Sequence, residues 1–194
     1  MSKLFITPDS LRLDSYKLAA QVVENGYKPD YMVALWRGGA PIGCYVHEFL
    51  KYLNIDTDHI AIRTSRFTGI NETKSHVTVH NLGYLVERLN KDSKVLLVDD
   101  VYDSGLSIDA VINSLKEKLG DNVPLDIRVG TIHYKPTKNK TQRIPNYYVH
   151  ESNEWIVYPH ELEGLTDSEI RLAMGPEIAD LVLQTVNNQK NQNN

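Results

Sequence analysis

Short runs of consecutive apolar residues alternate along this chain with longer stretches in which apolar residues recur every three or four positions. Runs of the first kind favour strands that are buried on both faces, and spacing of the second kind favours helices. The pattern predicts strands over residues 31–35, 59–63, 95–98 and 126–133. It predicts a helix before the first of these strands, over residues 11–25, and helices between later strands, over residues 40–53 and 108–119. Such alternation indicates an α/β fold with a mainly parallel sheet flanked by helices.

The other segments add shorter elements and one long polar stretch. Residues 64–76 show no hydrophobic period, and a connection of that length is typical of a lid over a functional site. Further strands are predicted at 77–79 and, as edge strands of the sheet, at 147–149 and 155–157; helices are predicted at 82–89, 166–174 and 176–186. Residues 187–194 are almost all Asn and Gln, so we expect a disordered tail after a single domain of residues 1–186.

Composition narrows the possible functions. The formal net charge of −4 at pH 7 gives no basic surface for general nucleic-acid binding, although residues 138–143 form a small basic patch. No apolar run approaches the roughly 18 residues that span a bilayer, and the N-terminus lacks a signal-peptide pattern. We therefore expect a cytoplasmic protein with no membrane partner. The single cysteine, Cys44, excludes an intrachain disulfide and is expected to be a buried structural thiol.

Chemically distinctive residues follow the predicted strand at 95–98. Two carboxylates come first, and small polar residues then lead into a helix: Asp99, Asp100, Asp103, Ser104, Gly105, Leu106 and Ser107. Backbone N–H groups at a helix N-terminus attract phosphate, and carboxylates attract Mg²⁺ or sugar hydroxyls. This stretch therefore predicts an anion site with a metal-binding option. The alternatives are a solvated turn for the acids and a plain helix cap for Ser107.

Two other predicted strands end in candidate binding residues. The strand at 31–35 is followed by Trp36-Arg37-Gly38-Gly39, and the strand at 126–133 leads to Lys135. The carboxyl ends of parallel strands meet at one edge of a sheet, where α/β proteins bind their ligands. We therefore expect these residues to lie near Asp99 and Asp100. A surface turn and a solvated lysine are the ordinary alternatives.

The segment at 94–107 resembles the signature of the type I phosphoribosyltransferases: an apolar strand, two acids, two variable residues and then Asp-Ser/Thr-Gly-x-Ser/Thr. The turn at 36–39 is similar to the pyrophosphate loop of the same family. The resemblance implies the α/β core of that family with a small hood built from peripheral segments. It implies that phosphoribosyl pyrophosphate binds with Mg²⁺, and that the lid corresponds to part of residues 64–74.

The resemblance also implies a role for each of these residues. The pyrophosphate would bind at Arg37, Gly38 and Gly39. The ribose hydroxyls and the metal would lie at Asp99 and Asp100, with Glu161 as a third candidate metal ligand. Asp103 is the predicted catalytic residue, a proton acceptor at the purine N7. The 5′-phosphate would bind along the signature loop, at Asp103, Ser104, Gly105, Leu106 and Ser107.

A third motif concerns the base. Lys135-Pro136, with Trp155-Ile156 and Pro159 further on, is similar to the purine pocket of the 6-oxopurine branch, which includes the bacterial xanthine–guanine and hypoxanthine–guanine enzymes. By this resemblance the lysine would donate to the exocyclic oxygen, and an ammonium offers nothing useful to the amino group of adenine. Trp155 would stack on the purine and Ile156 would read its edge. The ordinary alternative for Trp155 is a core tryptophan.

The resulting hypothesis is a purine-salvage enzyme that transfers the 5-phosphoribosyl group to hypoxanthine, guanine or xanthine. Its partners would be phosphoribosyl pyrophosphate and the base, and relatives in the family suggest a homodimer or homotetramer. Two alternatives remain open: a non-catalytic, RNA-binding regulator that senses phosphoribosyl pyrophosphate, and a phosphoribosyltransferase for another base.

Overall fold

The computed structural model describes residues 3–67 and 76–192, which form two compact units. One unit is Arg12–Asn153, and the other combines residues 1–11 with residues 154–194. The strands are β1 (Lys3–Phe5), β2 (Tyr31–Trp36), β3 (Asp58–Phe67), β4 (His76–His80), β5 (Lys94–Tyr102), β6 (Asp126–Tyr134), β7 (Tyr147–Glu151) and β8 (Trp155–Val157). The helices are α1 (Pro8–Glu24), α2 (Gly39–Tyr52), α3 (Gly83–Val86), α4 (Leu106–Leu119), α5 (Asp167–Met174) and α6 (Pro176–Gln192).

The larger unit is built on a six-stranded sheet in the order β4-β3-β2-β5-β6-β7. Every neighbouring pair is parallel except β3 and β4. Because β2, β5 and β6 are parallel, their carboxyl ends meet at one edge of the sheet. The predicted α/β fold with a mainly parallel sheet is confirmed.

The two faces of the sheet are covered by different helices. Val33 and Leu35 of β2 belong to a buried cluster with side chains of α3 and α4. Met32 and Ala34 point the other way, where both lie against Gly43 of α2. Successive residues of a strand point to opposite faces, so a strand covered on both sides must be apolar throughout. This explains the uninterrupted apolar runs in the sequence.

Strand β5 is longer than the sequence predicts. It does not close at Asp99 but continues to Tyr102, because β6 still pairs with it there: Val101 lies opposite His133, and Tyr102 lies opposite Tyr134. The two carboxylates are therefore part of the sheet rather than of the loop after it. This places them on backbone that is held by neighbouring strands.

The structure describes only part of the segment that was predicted to be a lid, residues 64–76. Its first residues, 64–67, continue β3 and pair with the antiparallel strand β4, so this part of the prediction is wrong. The strand predicted at 77–79 is confirmed and enlarged by β4. The remainder of the predicted lid, residues 68–75, lies outside the described residues. Helix α3 is a single turn rather than the helix predicted over 82–89.

Helix α1 begins three residues before its predicted start because Thr7 caps it. The Ser10 N–H donates to Thr7 Oγ1 at 3.1 Å, and the Thr7 N–H donates to Ser10 Oγ at 3.1 Å, so each side chain satisfies a backbone donor of the first turn. The Cys44 side chain on α2 is exposed, so the prediction of a buried thiol is wrong. Its helical position puts it beside, rather than within, the row formed by Ile42, Val46 and Leu50.

The unit formed by the chain ends holds a two-stranded parallel sheet of β1 and β8. Strand β8 was predicted at the edge of the main sheet, and this prediction is wrong because β1 is its partner. Thr166 and Glu169 form the predicted capping box of α5. Helix α6 continues through Gln192, into the segment for which the sequence predicts disorder. Among the helices of the described residues, none combines the length and apolar character needed to cross a membrane.

Candidate active site

A small cavity lies where β5 passes into α4. Residues 99–108, apart from Leu106, line it, and its volume is about 180 Å³. Gly105 precedes the first turn of α4 with φ 75°, a conformation that glycine adopts without steric cost. The first N–H groups of a helix have no intrahelical acceptors, and together with the helix dipole they attract an anion. Most of the residues that were predicted to form an anion site therefore line a common cavity.

Two residues of the signature take positions that differ from the expectation. Leu106 begins α4 but does not line the cavity, although it was predicted to bind phosphoribosyl pyrophosphate. Ser107 lines the cavity from inside the first turn, and the residue that caps the helix is Gly105. The alternative of Ser107 as a plain helix cap is therefore wrong.

The turn between β2 and α2 packs directly against the end of β5. A Cβ atom added to Gly38 would collide with the Asp100 carboxylate, and one added to Gly39 would collide with the Val98 carbonyl oxygen. The Gly39 N–H donates a hydrogen bond to the Asp99 carboxylate. Arg37 is exposed beside them. The two glycines are therefore needed for close approach, and the turn and the acid pair form one surface.

The acid pair is electrostatically strained. Asp100 is 8% exposed, and its backbone N–H donates to Asp99 Oδ1 at 3.0 Å. Burial, together with the nearby charge of Asp100, raises the pKa of the Asp99 carboxyl well above its ordinary value, and hydrogen bonds from the Asp100 and Gly39 N–H groups oppose this only in part. A bound cation would relieve the repulsion. The pair is thus suited to metal binding more than to protein stability.

Replacing Asp99 with asparagine should therefore stabilise the protein. The folded chain holds the Asp99 proton more tightly than the unfolded chain, so the free energy of unfolding falls as pH rises from 3.8 through the raised pKa. The variant lacks this loss and should be more stable than the parent protein at pH 8, an advantage that shrinks towards pH 4. Urea unfolding at both pH values measures it. An equal stability difference at the two pH values would contradict the assignment.

A lysine and an aspartate meet at the same edge of the sheet. Lys135 Nζ lies 3.4 Å from Asp103 Oδ2, and the lysine side chain is only 11% exposed while that of the aspartate is 49% exposed. The Lys135 N–H donates to the Tyr102 carbonyl at 2.9 Å, which fixes where the lysine leaves the strand. The prediction that Lys135 lies near the acidic signature is confirmed.

The sequence did not reveal a turn at residues 139–143 that packs against the cavity from outside, here called the bracing turn. Its Thr141 hydroxyl lies 3.0 Å from the Tyr102 hydroxyl, under Gly105. Its Asn139 accepts a hydrogen bond from the Thr141 N–H at 2.9 Å, a local turn that Asn favours. The Asn-x-Thr pattern in the sequence indicates a turn, but it does not indicate that this turn packs against the signature segment.

The remaining predicted site residues belong to the unit of the chain ends. Trp155 is 58% exposed, so the alternative of a core tryptophan is wrong, whereas Ile156 is 7% exposed within β8. Glu161 accepts a hydrogen bond from the Tyr158 N–H at 3.2 Å, so its side chain stabilises the turn that contains it. Within the described ranges, no group of three or more His, Cys, Asp or Glu side chains is arranged to hold a metal ion.

A larger cavity lies at the opposite, amino-terminal edge of the sheet. Its volume is about 820 Å³, and its lining includes Tyr31, the first residue of β2, and Asp58, the first residue of β3. It holds none of the predicted site residues. Size alone therefore does not locate the chemistry of this protein.

Comparisons with known proteins agree with this geometry. Residues 10–163 match the family described as the phosphoribosyl transferase domain. A purine phosphoribosyltransferase from Pyrococcus horikoshii is 26% identical, with a TM-score of 0.66, over 86% of this chain and 99% of that one. A hypothetical protein from Neisseria gonorrhoeae with bound ppGpp is also 26% identical, with a TM-score of 0.68, over 89% and 96% of the two chains.

A xanthine-guanine-hypoxanthine phosphoribosyltransferase from Helicobacter pylori shares the fold at 19% identity, with a TM-score of 0.63 over 84% of this chain and 96% of that one. No curated protein sequence matches significantly. The family match spans most of the chain, including the turn at 36–39, the acid pair, the cavity and Lys135. The chain therefore belongs to the phosphoribosyl transferase domain family.

Proposed function

We propose that this protein transfers the 5-phosphoribosyl group from phosphoribosyl pyrophosphate to a 6-oxopurine, giving a nucleoside 5′-monophosphate and pyrophosphate. The observation that carries the proposal is the pair Lys135 and Asp103, whose charged atoms lie 3.4 Å apart next to the cavity of the signature loop. The family match and the 26% identity to a purine phosphoribosyltransferase support it.

The pair fits one edge of a 6-oxopurine. In its N7–H tautomer, guanine presents an N7–H donor beside the O6 acceptor on this edge, whereas adenine presents an amino donor in place of O6. Lys135 offers only donors, which suits O6 and leaves the amino group of adenine facing another donor. Asp103, at N7, can take the proton that the base loses. The two side chains together therefore favour hypoxanthine, guanine or xanthine over adenine.

Different groups of the site bind the three parts of the donor substrate, phosphoribosyl pyrophosphate. The 5′-phosphate lies in the cavity at the N-terminus of α4, with Ser104, Gly105 and Ser107. The pyrophosphate lies against Arg37, Gly38 and Gly39, where a cation and close backbone approach favour an anion. The ribose hydroxyls face Asp99 and Asp100, whose carboxylates accept hydrogen bonds.

Mg²⁺ fits the acid pair. Two carboxylates and the oxygen atoms of a bound substrate are the donor set that Mg²⁺ prefers. Burial and the nearby charge of Asp100 raise the pKa of Asp99, and a bound cation would oppose both effects. Asp99 and Asp100 would hold the ion, which supplies positive charge near the leaving pyrophosphate. Glu161 accepts a hydrogen bond within its own turn, so we do not assign it to the metal.

The reaction breaks the bond between ribose C1 and a pyrophosphate oxygen and forms a bond from C1 to the purine nitrogen. Positive charge develops on the ribose during this exchange, as it does in glycoside hydrolysis. The protein contributes by holding base and sugar in line and by removing the purine proton to Asp103. The electrons of the broken bond leave with pyrophosphate.

Turnover across four purines tests the proposal. The protein is mixed with Mg²⁺, phosphoribosyl pyrophosphate and hypoxanthine, guanine, xanthine or adenine, and product formation is followed. We expect turnover with at least one 6-oxopurine and none with adenine. Turnover with adenine alone would refute the base assignment. Absence of turnover with salt-dependent RNA binding would favour the regulator.

A Lys135→Met variant tests the reading of the base. Methionine keeps an apolar stem of similar length but offers no donor, so kcat/KM for the preferred 6-oxopurine should fall about 10- to 100-fold. Lys138→Met is the matched control, because Lys138 is an exposed lysine three residues along the same loop. Equal losses in the two variants would remove Lys135 from the base site.

Guanosine tetraphosphate is a second candidate ligand. The relative from Neisseria gonorrhoeae was solved with bound ppGpp. The site here offers anion-binding groups at two places, the N-terminus of α4 and Arg37, which suits a guanine nucleotide phosphorylated on both its 5′ and 3′ oxygens. We infer that ppGpp competes with phosphoribosyl pyrophosphate. Inhibition that excess phosphoribosyl pyrophosphate does not reverse would argue against this shared site.

A further inference from the structure

We propose that the bracing turn, residues 139–143, is a positioning element that aims a backbone donor of the signature loop at the 5′-phosphate, with Asn139 as its central residue. The inference rests on the proposed function. It gives a role to the basic patch at 138–143 that involves its backbone and uncharged side chains rather than its charges.

Asn139 makes the turn rigid. Its Nδ2 donates to the Arg143 carbonyl at 2.9 Å and to the Tyr134 hydroxyl at 3.3 Å. Its Oδ1 accepts from the Thr141 N–H and from the Thr141 hydroxyl, both at 2.9 Å. One side chain therefore joins both ends of the turn to each other and to strand β6. Alanine at this position would remove all four hydrogen bonds.

The turn is held against Tyr102, which supports Gly105. The Tyr102 side chain is 1% exposed, and its hydroxyl lies 3.0 Å from Thr141 Oγ1 and donates to the Arg143 carbonyl at 3.1 Å. A Cβ atom added at Gly105 would lie 2.7 Å from the Tyr102 hydroxyl and 2.8 Å from Thr141 Oγ1. The three residues are packed so closely that the turn limits where Gly105 can lie.

A single backbone hydrogen bond transmits this position to the cavity. The Lys140 N–H donates to the Ser104 carbonyl at 3.0 Å. The peptide group between Ser104 and Gly105 is planar, and in a trans peptide the carbonyl and the N–H point in opposite directions. Because the carbonyl is held towards the turn, the Gly105 N–H points away from it. Both residues line the cavity, so this N–H is a donor for the bound phosphate.

Loosening the bracing turn should weaken the binding of only those ligands that carry the 5′-phosphate. If the turn loosens, the Ser104–Gly105 peptide can rotate, and the phosphate loses a donor that is already oriented. The contacts of the base and of pyrophosphate are made by Lys135 and by the turn at 36–39, which are separate groups. A structural role alone would instead weaken every ligand together.

The experiment compares GMP with guanosine, which differ only in the phosphate. In Asn139→Ala and Thr141→Val, the GMP affinity measured by calorimetry should fall about tenfold, while guanosine affinity stays within about twofold. The KM for phosphoribosyl pyrophosphate should rise, with a smaller change in kcat. Thr141→Ser keeps the hydroxyl and should restore GMP affinity. Gln142→Ala, an exposed position in the same turn, is the matched control.

Tyr102→Phe keeps the buried ring and removes only the hydroxyl, so it tests the same link if the turn variants are unstable. Equal losses for GMP and guanosine, or unchanged GMP affinity in all three variants, would overturn the positioning role. A protein that binds GMP but turns over no purine would refute the proposed function and leave this comparison measurable. The two failures are therefore distinguishable.

Discussion

Replacing Asp103 with asparagine should lower kcat for the 6-oxopurine about 100-fold or more while leaving the fold unchanged. The amide keeps the size and the hydrogen-bonding reach of the carboxylate but cannot take the purine proton. The side chain is 49% exposed, and its only ion pair in the described parts of the chain is with Lys135, so little stability depends on it. The loss should therefore fall on turnover.

The measurement is steady-state kinetics with phosphoribosyl pyrophosphate saturating, together with a melting curve. Asp109→Asn is the matched control, since Asp109 is also partly exposed and lies 3.7 Å from a cation, Arg143, but is not among the residues that line the cavity. Undiminished turnover in the Asp103 variant would remove this residue from proton transfer. A similar loss in both variants would point to a general electrostatic effect instead.

Replacing Gly39 with alanine should abolish most activity and also destabilise the protein. The added methyl group would collide with the Val98 carbonyl oxygen, a backbone atom of a central strand that has little freedom to move. Relief requires the turn after β2 to shift, which breaks the hydrogen bond from the Gly39 N–H to Asp99 and displaces the proposed pyrophosphate site. We expect about 1–3 kcal/mol of destabilisation.

For activity, kcat/KM for phosphoribosyl pyrophosphate should fall about 100-fold, because a displacement of about 1 Å at such a site costs that much. Gly83→Ala is the control: a methyl group at Gly83 meets no atom within 4 Å, and alanine suits its helical position better than glycine. The control should keep full activity and gain slight stability. Normal kinetics in the Gly39 variant would show that the turn tolerates the shift.

The sheet was predictable because its central strands are covered on both faces. Complete burial requires uninterrupted apolar runs, and those runs are visible in sequence at 31–35 and 95–98. The candidate site was predictable for a related reason, since polar residues directly after such strands must meet at one edge. Lys135 was placed correctly by this rule alone, although it lies 32 residues beyond Asp103.

The remaining features depend on contacts that sequence does not reveal. Strand β5 extends past its apolar run because β6 pairs with Asp99 and Val101, and no local pattern records that pairing. Strand β1 is three residues long and exists only with its partner β8. The bracing turn consists of ordinary polar residues. Its contact with the signature loop is a hydrogen bond from Lys140 to the Ser104 carbonyl, 36 residues earlier in the chain, which no local pattern predicts.

The register of β5 against β6 has a consequence for how substrate choice can change. Tyr102 and Tyr134 are paired neighbours, and the next residues, Asp103 and Lys135, inherit that alignment. The separation between the backbones of Asp103 and Lys135 is thus set by one inter-strand spacing, about 4.8 Å, and not by flexible loops. The sheet therefore fixes the spacing of the two side chains that we propose contact the base. We therefore expect a change of base preference to arise from residues after Lys135, whereas one inserted residue in either strand would misalign Asp103 and Lys135.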